Sequence, residues 1–202
     1  MIQNPYGSNF KAQDSSKTTV PAGCYVAKVI KVDTADLGGR PRLNIYVDII
    51  EGEYKGAYMK RFDADKSSGR FTPKYKGVFS LNLPCTDDRY PASTQRELER
   101  MAYALEQSNE GYYWDWDEQR LRGLLVGICV RDEEYLMERQ GEYVEGVTQR
   151  IFRLCTVAQV RDGSIPTPAP KKLSEEKRAK ILQQSSPVSG AATVANDDDI
   201  PF

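Results

Sequence analysis

Residues 42–50, RLNIYVDII, place Leu43, Ile45, Val47 and Ile49 on one side of an extended chain and Arg42, Asn44, Tyr46 and Asp48 on the other. A side-chain period of two fits a strand covered on one face only, so the segment calls for a sheet with one wet side. Residues 24–32, CYVAKVIKV, alternate in the same way. The turn DLGGRP separates the two stretches. A third extended segment is expected through YKGAYMKRFDA, and GVFSLNLP reads as a further short strand or an irregular extension.

The period then becomes helical. STQRELERMAYALEQSN offers Ser93 or Thr94 as N-cap and an apolar row of Leu98, Met101, Ala102 and Leu105 at spacings of three and four. In YYWDWDEQ, a helix start is expected at Asp115 or Asp117, with Trp114, Trp116 or both as packing anchors. Two strands follow, LLVGICV and TQRIFRLCTVAQV, joined by the charged loop RDEEYLMERQGEYVEG. Three strands, one helix and two strands is the order of the mainly β, five-stranded Greek-key OB-fold barrel, whose helix lies between strands three and four. The barrel is expected over residues 18–165, after a flexible arm at 1–17. Beyond Ile165, PTPAPKK and SSPVSGAATVAN have the composition of a tether over 166–196. Within it, LSEEKRAKILQQ forms a short helix with Ser174 as N-cap.

Composition narrows the chemistry. Hydrophobic residues make up 40% and charged residues 28% of the 202, as in folded domains. With 28 basic against 29 acidic residues, attraction to polyanions must come from local clustering. Histidine is absent, which removes the commonest general base and nitrogen metal ligand. The four cysteines form no C-x-x-C and read as buried thiols, and there is no glycine-rich phosphate loop. The expectation is a protein without catalysis, cofactor or metal. A carboxylate-metal nuclease on Asp63, Asp65, Asp87 and Asp88 is the weaker alternative, because their spacing selects no such site. No apolar run reaches membrane-span length and no secretion signal is present, so a cytoplasmic protein with no membrane partner is expected.

From Tyr54 to Lys76, seven basic residues stand against two acidic ones, with five aromatics interleaved. Cations neutralise phosphates and ring faces stack on bases of any identity, a combination suited to single strands. On a strand, Tyr58, Lys60 and Phe62 would share one face and Met59 and Arg61 the other. The candidate interface is Arg42, Tyr46, Tyr58, Lys60, Arg61, Phe62, Phe71, Lys74, Tyr75 and Lys76. In the fourth-to-fifth loop, Arg131, Arg139 and Arg150 are diluted by acids and form a weaker candidate.

The final stretch, Asp197, Asp198, Asp199, Ile200, Pro201 and Phe202, resembles the tail tip of bacterial and phage single-stranded DNA-binding proteins. The stretches PAGCYVAKVIKV, IIEGEYKGAYMKRFD and EQSNEGYYWDWDE are similar to phage-encoded OB-like proteins. The first resemblance implies a tip that docks on replication, recombination and repair enzymes, with Pro-Phe as anchor and the acids on a basic rim. It also implies a core that binds single-stranded DNA, and it admits a homo-oligomer. A phage strand-annealing or mediator protein is the alternative. The folded part is longer than the bacterial core domain, and SEEKRAKILQQ stands where that family often has Gly, Gln and Pro.

Overall fold

The computed structural model describes residues 19–36, 38–68, 72–85, 90–139 and 142–184. Five antiparallel strands form one sheet in the order β3-β2-β1-β4-β5. They are β1 (Gly23–Asp36), β2 (Pro41–Ile49), β3 (Val78–Asn82), β4 (Leu125–Arg139) and β5 (Glu142–Cys155). The edge strands β3 and β5 approach one another, and α2 (Pro91–Glu106) packs on β3, β4 and β5. The other helices are α1 (Ala57–Ser68), α3 (Val157–Arg161) and α4 (Glu175–Gln184).

The alternation in β2 holds residue by residue. Leu43, Ile45, Val47 and Ile49 are buried, and Arg42, Asn44, Tyr46 and Asp48 between them are half-buried. The core joins them to Val29 and Val32 of β1, Phe79 and Leu81 of β3, Val126, Ile128 and Val130 of β4, and Leu98, Met101 and Leu105 of α2. One polar face of β1-β2-β3 is thereby left toward solvent.

Four local expectations are corrected. YKGAYMKRFDA is helix α1, not a strand. Gly52 and Gly56, at φ 76° and 72°, turn the chain tightly after β2, a backbone few other residues adopt without strain. The Asp48 carboxylate then accepts from Tyr58 N at 3.2 Å and caps the new helix. Helix α2 starts a turn earlier than Ser93 or Thr94, because Pro91 supplies a preset φ and has no N–H to satisfy. Thr94 is buried instead. The charged stretch after LLVGICV is no loop, since β4 and β5 stay paired from Gly127↔Cys155 out to Arg139↔Glu142. TVAQV is not strand either: Thr156 and Gln159 form a reciprocal capping box that opens α3. Asp117, as expected, accepts from Gln119 N at 3.0 Å and starts a 3₁₀ turn.

Strand β1 ends its pairing with β4 at Gly23↔Val130, which leaves the edge of β4 open from Arg131 on. Lys171 occupies that edge, its N donating to Asp132 O at 2.8 Å and its carbonyl accepting from Glu134 N at 2.9 Å. An unpaired strand edge is a template for foreign strands, so its cover is physically useful. Helix α4 follows on the same ribbon, with Ser174 Oγ accepting from Lys177 N and Arg178 paired with Glu145.

Cys129 and Cys155 are buried, Cys24 half-buried, and all are free thiols. Burial, first among its causes, pushes the Cys24 thiol up to about 12.

Candidate nucleic-acid interface

The solvent face of β1-β2-β3 is built in rows. Register places Lys31, Tyr46 and Val78 side by side, then Asp33, Asn44 and Ser80, then Ala35, Arg42 and Asn82. The middle row is tied together: Asn44 Nδ2 donates to Asp33 at 3.0 Å, Ser80 Oγ donates to Asn44 Oδ1 at 2.7 Å, and Lys31 donates to Asp33 at 2.8 Å. Burial pushes the Asp33 carboxyl up, but the bonds from Lys31, Asn44 and Tyr46 outweigh it and hold it below the usual carboxylate range. Arg42 Nε reaches Asn82 at 3.5 Å, about 13 Å along the strand from Tyr46.

Lys31 Nζ lies 4.7 Å from the centre of the Tyr46 ring. From Tyr46 a file of rings runs to Tyr75 at 6.1 Å and on to Phe62 at 5.6 Å, with Tyr58 6.4 Å from Tyr75. Tyr75 is fixed by its hydroxyl, which donates to Val47 O at 3.0 Å. Burial, first among the causes, and the Asp48 charge raise the phenols of both Tyr58 and Tyr75. Both rings are therefore neutral at physiological pH.

The helix changes which residues act together. Tyr58 and Phe62 share a face, because four residues make about one helical turn. Lys60 points elsewhere and donates to Lys55 O at 3.1 Å. The shared face of Tyr58, Lys60 and Phe62 is thus corrected. Tyr58 is 6% exposed and belongs to the core, so its ring offers no face to a base. A Cβ on Gly77 would come within 2.7 Å of Tyr58 Cδ2, so only glycine admits the ring there. Phe62, Tyr46 and Tyr75 keep partial exposure.

Arg61, Lys74 and Lys76 form the cationic side of the site. Lys76 is half-buried, and burial, then the charges of Arg61 and Lys74, lower its ammonium below the usual lysine range. Three cations close enough to disfavour one another are stabilised by an anion placed among them. Asp48 has the opposite problem. Burial raises its carboxyl, while the backbone N–H groups it caps and Lys60 pull it back.

The sequence reading missed Lys31, Asp33, Asn44 and Ser80. The alternation of β2 already put Asn44 beside Tyr46, but pairing of β1 and β3 with it was needed to complete the rows. Phe71 and the tip, Asp197, Asp198, Asp199, Ile200, Pro201 and Phe202, lie outside the described residues. Asp63 and Asp65 sit on α1, and Asp87 and Asp88 also lie outside. Arg131, Arg139 and Arg150 belong to the paired ribbon of β4 and β5. There, Glu133 is buried against Arg131 at 2.6 Å, Arg150 at 3.6 Å and Lys171 at 3.9 Å. No helix among the described residues is long and apolar enough to cross a membrane.

No known protein-family model matches the chain, and no curated protein matches it.

Proposed function

We propose that the chain binds single-stranded DNA, with little regard to sequence, on the β1-β2-β3 face. The observation that carries this is the file Tyr46-Tyr75-Phe62, with Lys31 over Tyr46 and with Arg61, Lys74 and Lys76 next to Phe62 and Tyr75 in the chain. Ring faces of partial exposure supply sequence-tolerant stacking, and the cations supply phosphate neutralisation. The strand order, the helix between β3 and β4 and the approach of β3 to β5 support an OB-like Greek-key barrel as the scaffold. Such a protein coats exposed strands and hands them on without catalysis or cofactor. The six tip residues, through an apolar Ile-Pro-Phe beside three carboxylates, recruit replication, recombination or repair enzymes whose pockets have a basic rim.

The test is a titration of fluorescent oligo-dT against a matching duplex at two salt concentrations. If Lys31, Arg42, Arg61, Lys74 and Lys76 each neutralise one phosphate, affinity falls by about 3.5 log units per log unit of salt. Equal affinity for duplex, or binding indifferent to salt, overturns the proposal.

A further inference from the structure

The aromatic tract after α2 is not part of the face described above, and its local charge is opposite. From Glu106 to Arg122 there are five acidic residues against two basic ones. Trp116 adopts φ 68°, alone among the described non-glycine residues. A bulky residue rarely holds a left-handed backbone, and such conformations persist where the surroundings enforce them. Here they do: Asp115 accepts from Asp117 N at 3.3 Å, Asp117 accepts from Gln119 N, and Arg120 pairs with Asp115. The enforced backbone does not bury the indole. Trp116 is 65% exposed, with its ring centre 6.0 Å from that of Trp114, and Tyr113 is 73% exposed.

The tract already seats one guanidinium, since Arg120 lies 5.9 Å from the centre of the Tyr112 ring while paired with Asp115. A second place of the same chemistry remains at the outer face of Trp116, beside the exposed Asp117. Indole faces attract cations, arginine most often, and nearby carboxylates strengthen the attraction. The Tyr112 hydroxyl and Trp114 Nε1 are buried with no hydrogen-bond partner among the described residues, and Tyr112 is only 8% exposed. Trp114 Nε1 can donate to a partner's main chain, and the Tyr112 hydroxyl can donate to it or accept from it, once the side chains that enclose them shift. Nucleic acid is disfavoured, because the carboxylates repel phosphates, and the acidic tip of this chain is disfavoured for the same reason.

We infer that Trp116, with Trp114 and Asp117, is a docking site for an arginine-bearing polypeptide segment of a partner protein, separate from both the strand-binding face and the tip. The inference is independent of nucleic-acid binding.

Trp114 and Trp116 are the chain's two tryptophans, so intrinsic fluorescence reports on this site. The experiment titrates the full chain with a labelled glycine-serine nonapeptide carrying three arginines, and with its three-glutamate counterpart. Saturable binding with a tryptophan signal is expected for the arginine peptide and not for the glutamate peptide, with saturating oligo-dT present or absent. Trp116→Gly, which accepts the left-handed backbone, is expected to weaken binding at least tenfold with an unchanged or higher melting temperature. Deleting residues 197–202 is expected to leave the tryptophan signal and its midpoint within about threefold. Absence of saturation by millimolar peptide overturns the inference, as does displacement by oligo-dT. So does a Trp116→Gly chain that binds normally but melts markedly lower, which assigns the indole to packing, or loss of the tryptophan signal on deletion of the tip alone.

Discussion

Replacing Tyr58 and Phe62 in turn separates a core ring from a stacking ring on the same helix face. Tyr58 is almost fully buried, packs against Gly77 and lies 6.4 Å from Tyr75. Truncating a large buried ring to alanine costs about 4 kcal/mol, from lost transfer energy and the cavity left behind. For a chain of this size that is a fall of about 12 °C in melting temperature, out of a total stability of about 5–15 kcal/mol. Phe62 is half-buried and meets Tyr75 edge-on at 5.6 Å. Its truncation costs about 1 kcal/mol of stability, but ~2 kcal/mol of base stacking, or roughly 30-fold in affinity for oligo-dT. The assay pairs thermal unfolding of Tyr58→Ala and Phe62→Ala with oligo-dT titrations at a temperature where both chains are folded. The expected pattern is crossed: Tyr58→Ala melts early and binds within about threefold of the parent once folded, whereas Phe62→Ala melts almost normally and binds weakly. A Tyr58→Ala chain that melts like the parent yet loses strand affinity tenfold would place that ring at the surface and refute the packing of α1.

Two further expectations concern carboxylates, the half-buried Asp48 and the buried Glu133. Asp48 caps α1, yet burial raises its carboxyl above the usual range. An acid whose folded value is raised loses stability as pH climbs through that value, so Asp48→Asn, which keeps the acceptor without the charge, is expected to match or exceed the parent's urea midpoint at pH 7. Asp48→Ala, which removes the acceptor, is expected to lose about 1 kcal/mol. Burial also pushes the Glu133 carboxyl up, but its bond to Arg131 and the charges of Arg150 and Lys171 hold it below its ordinary 4.5. The stability it contributes is present above that value and is lost as pH falls toward the depressed one. Glu133→Gln is therefore expected to cost about 2 kcal/mol at pH 7 and to flatten the acid limb of stability below pH 4.5, followed by urea unfolding across pH. An acid limb as steep as the parent's contradicts the pairing.

What could be read from the sequence depended on how local the cause was. Strands β1 and β2 were legible because burial on one face writes a period of two directly into residues 24–32 and 42–49, and α2 because Leu98, Met101 and Leu105 return at helical spacing. Helix α1 was not. Tyr58 and Phe62 stand four apart, as a helix requires, but Tyr58, Lys60 and Phe62 also stand two apart, and a stretch this polar satisfies both templates. The deciding group is the Asp48 carboxylate, which belongs to the preceding strand and reaches Tyr58 N only after the glycine turn has folded. Half of the candidate face was open to the same ambiguity. Arg42 and Tyr46 could be placed from β2 alone, whereas Lys31, Asp33 and Ser80 joined them only through pairing with β1 and β3.

The segment after Ile165 shows the same dependence on distant partners. Its prolines and small polar residues specify no structure by themselves, and the tether composition is real. What engages it is the edge of β4 left open where β1 stops at Gly23, so Lys171 finds two main-chain partners and the Glu133 carboxylate in one place. Covering that edge and neutralising Glu133 are then one event: losing the strand-like contact at Lys171 also removes a cation from the buried carboxylate. The ribbon of β4 and β5 carries Arg131 and Arg150, and these cations are committed to Glu133 rather than to a ligand. That assigns them to holding the fold, and the proposed function rests instead on Arg42, Arg61, Lys74 and Lys76 together with Lys31, which is paired with Asp33 but stays exposed.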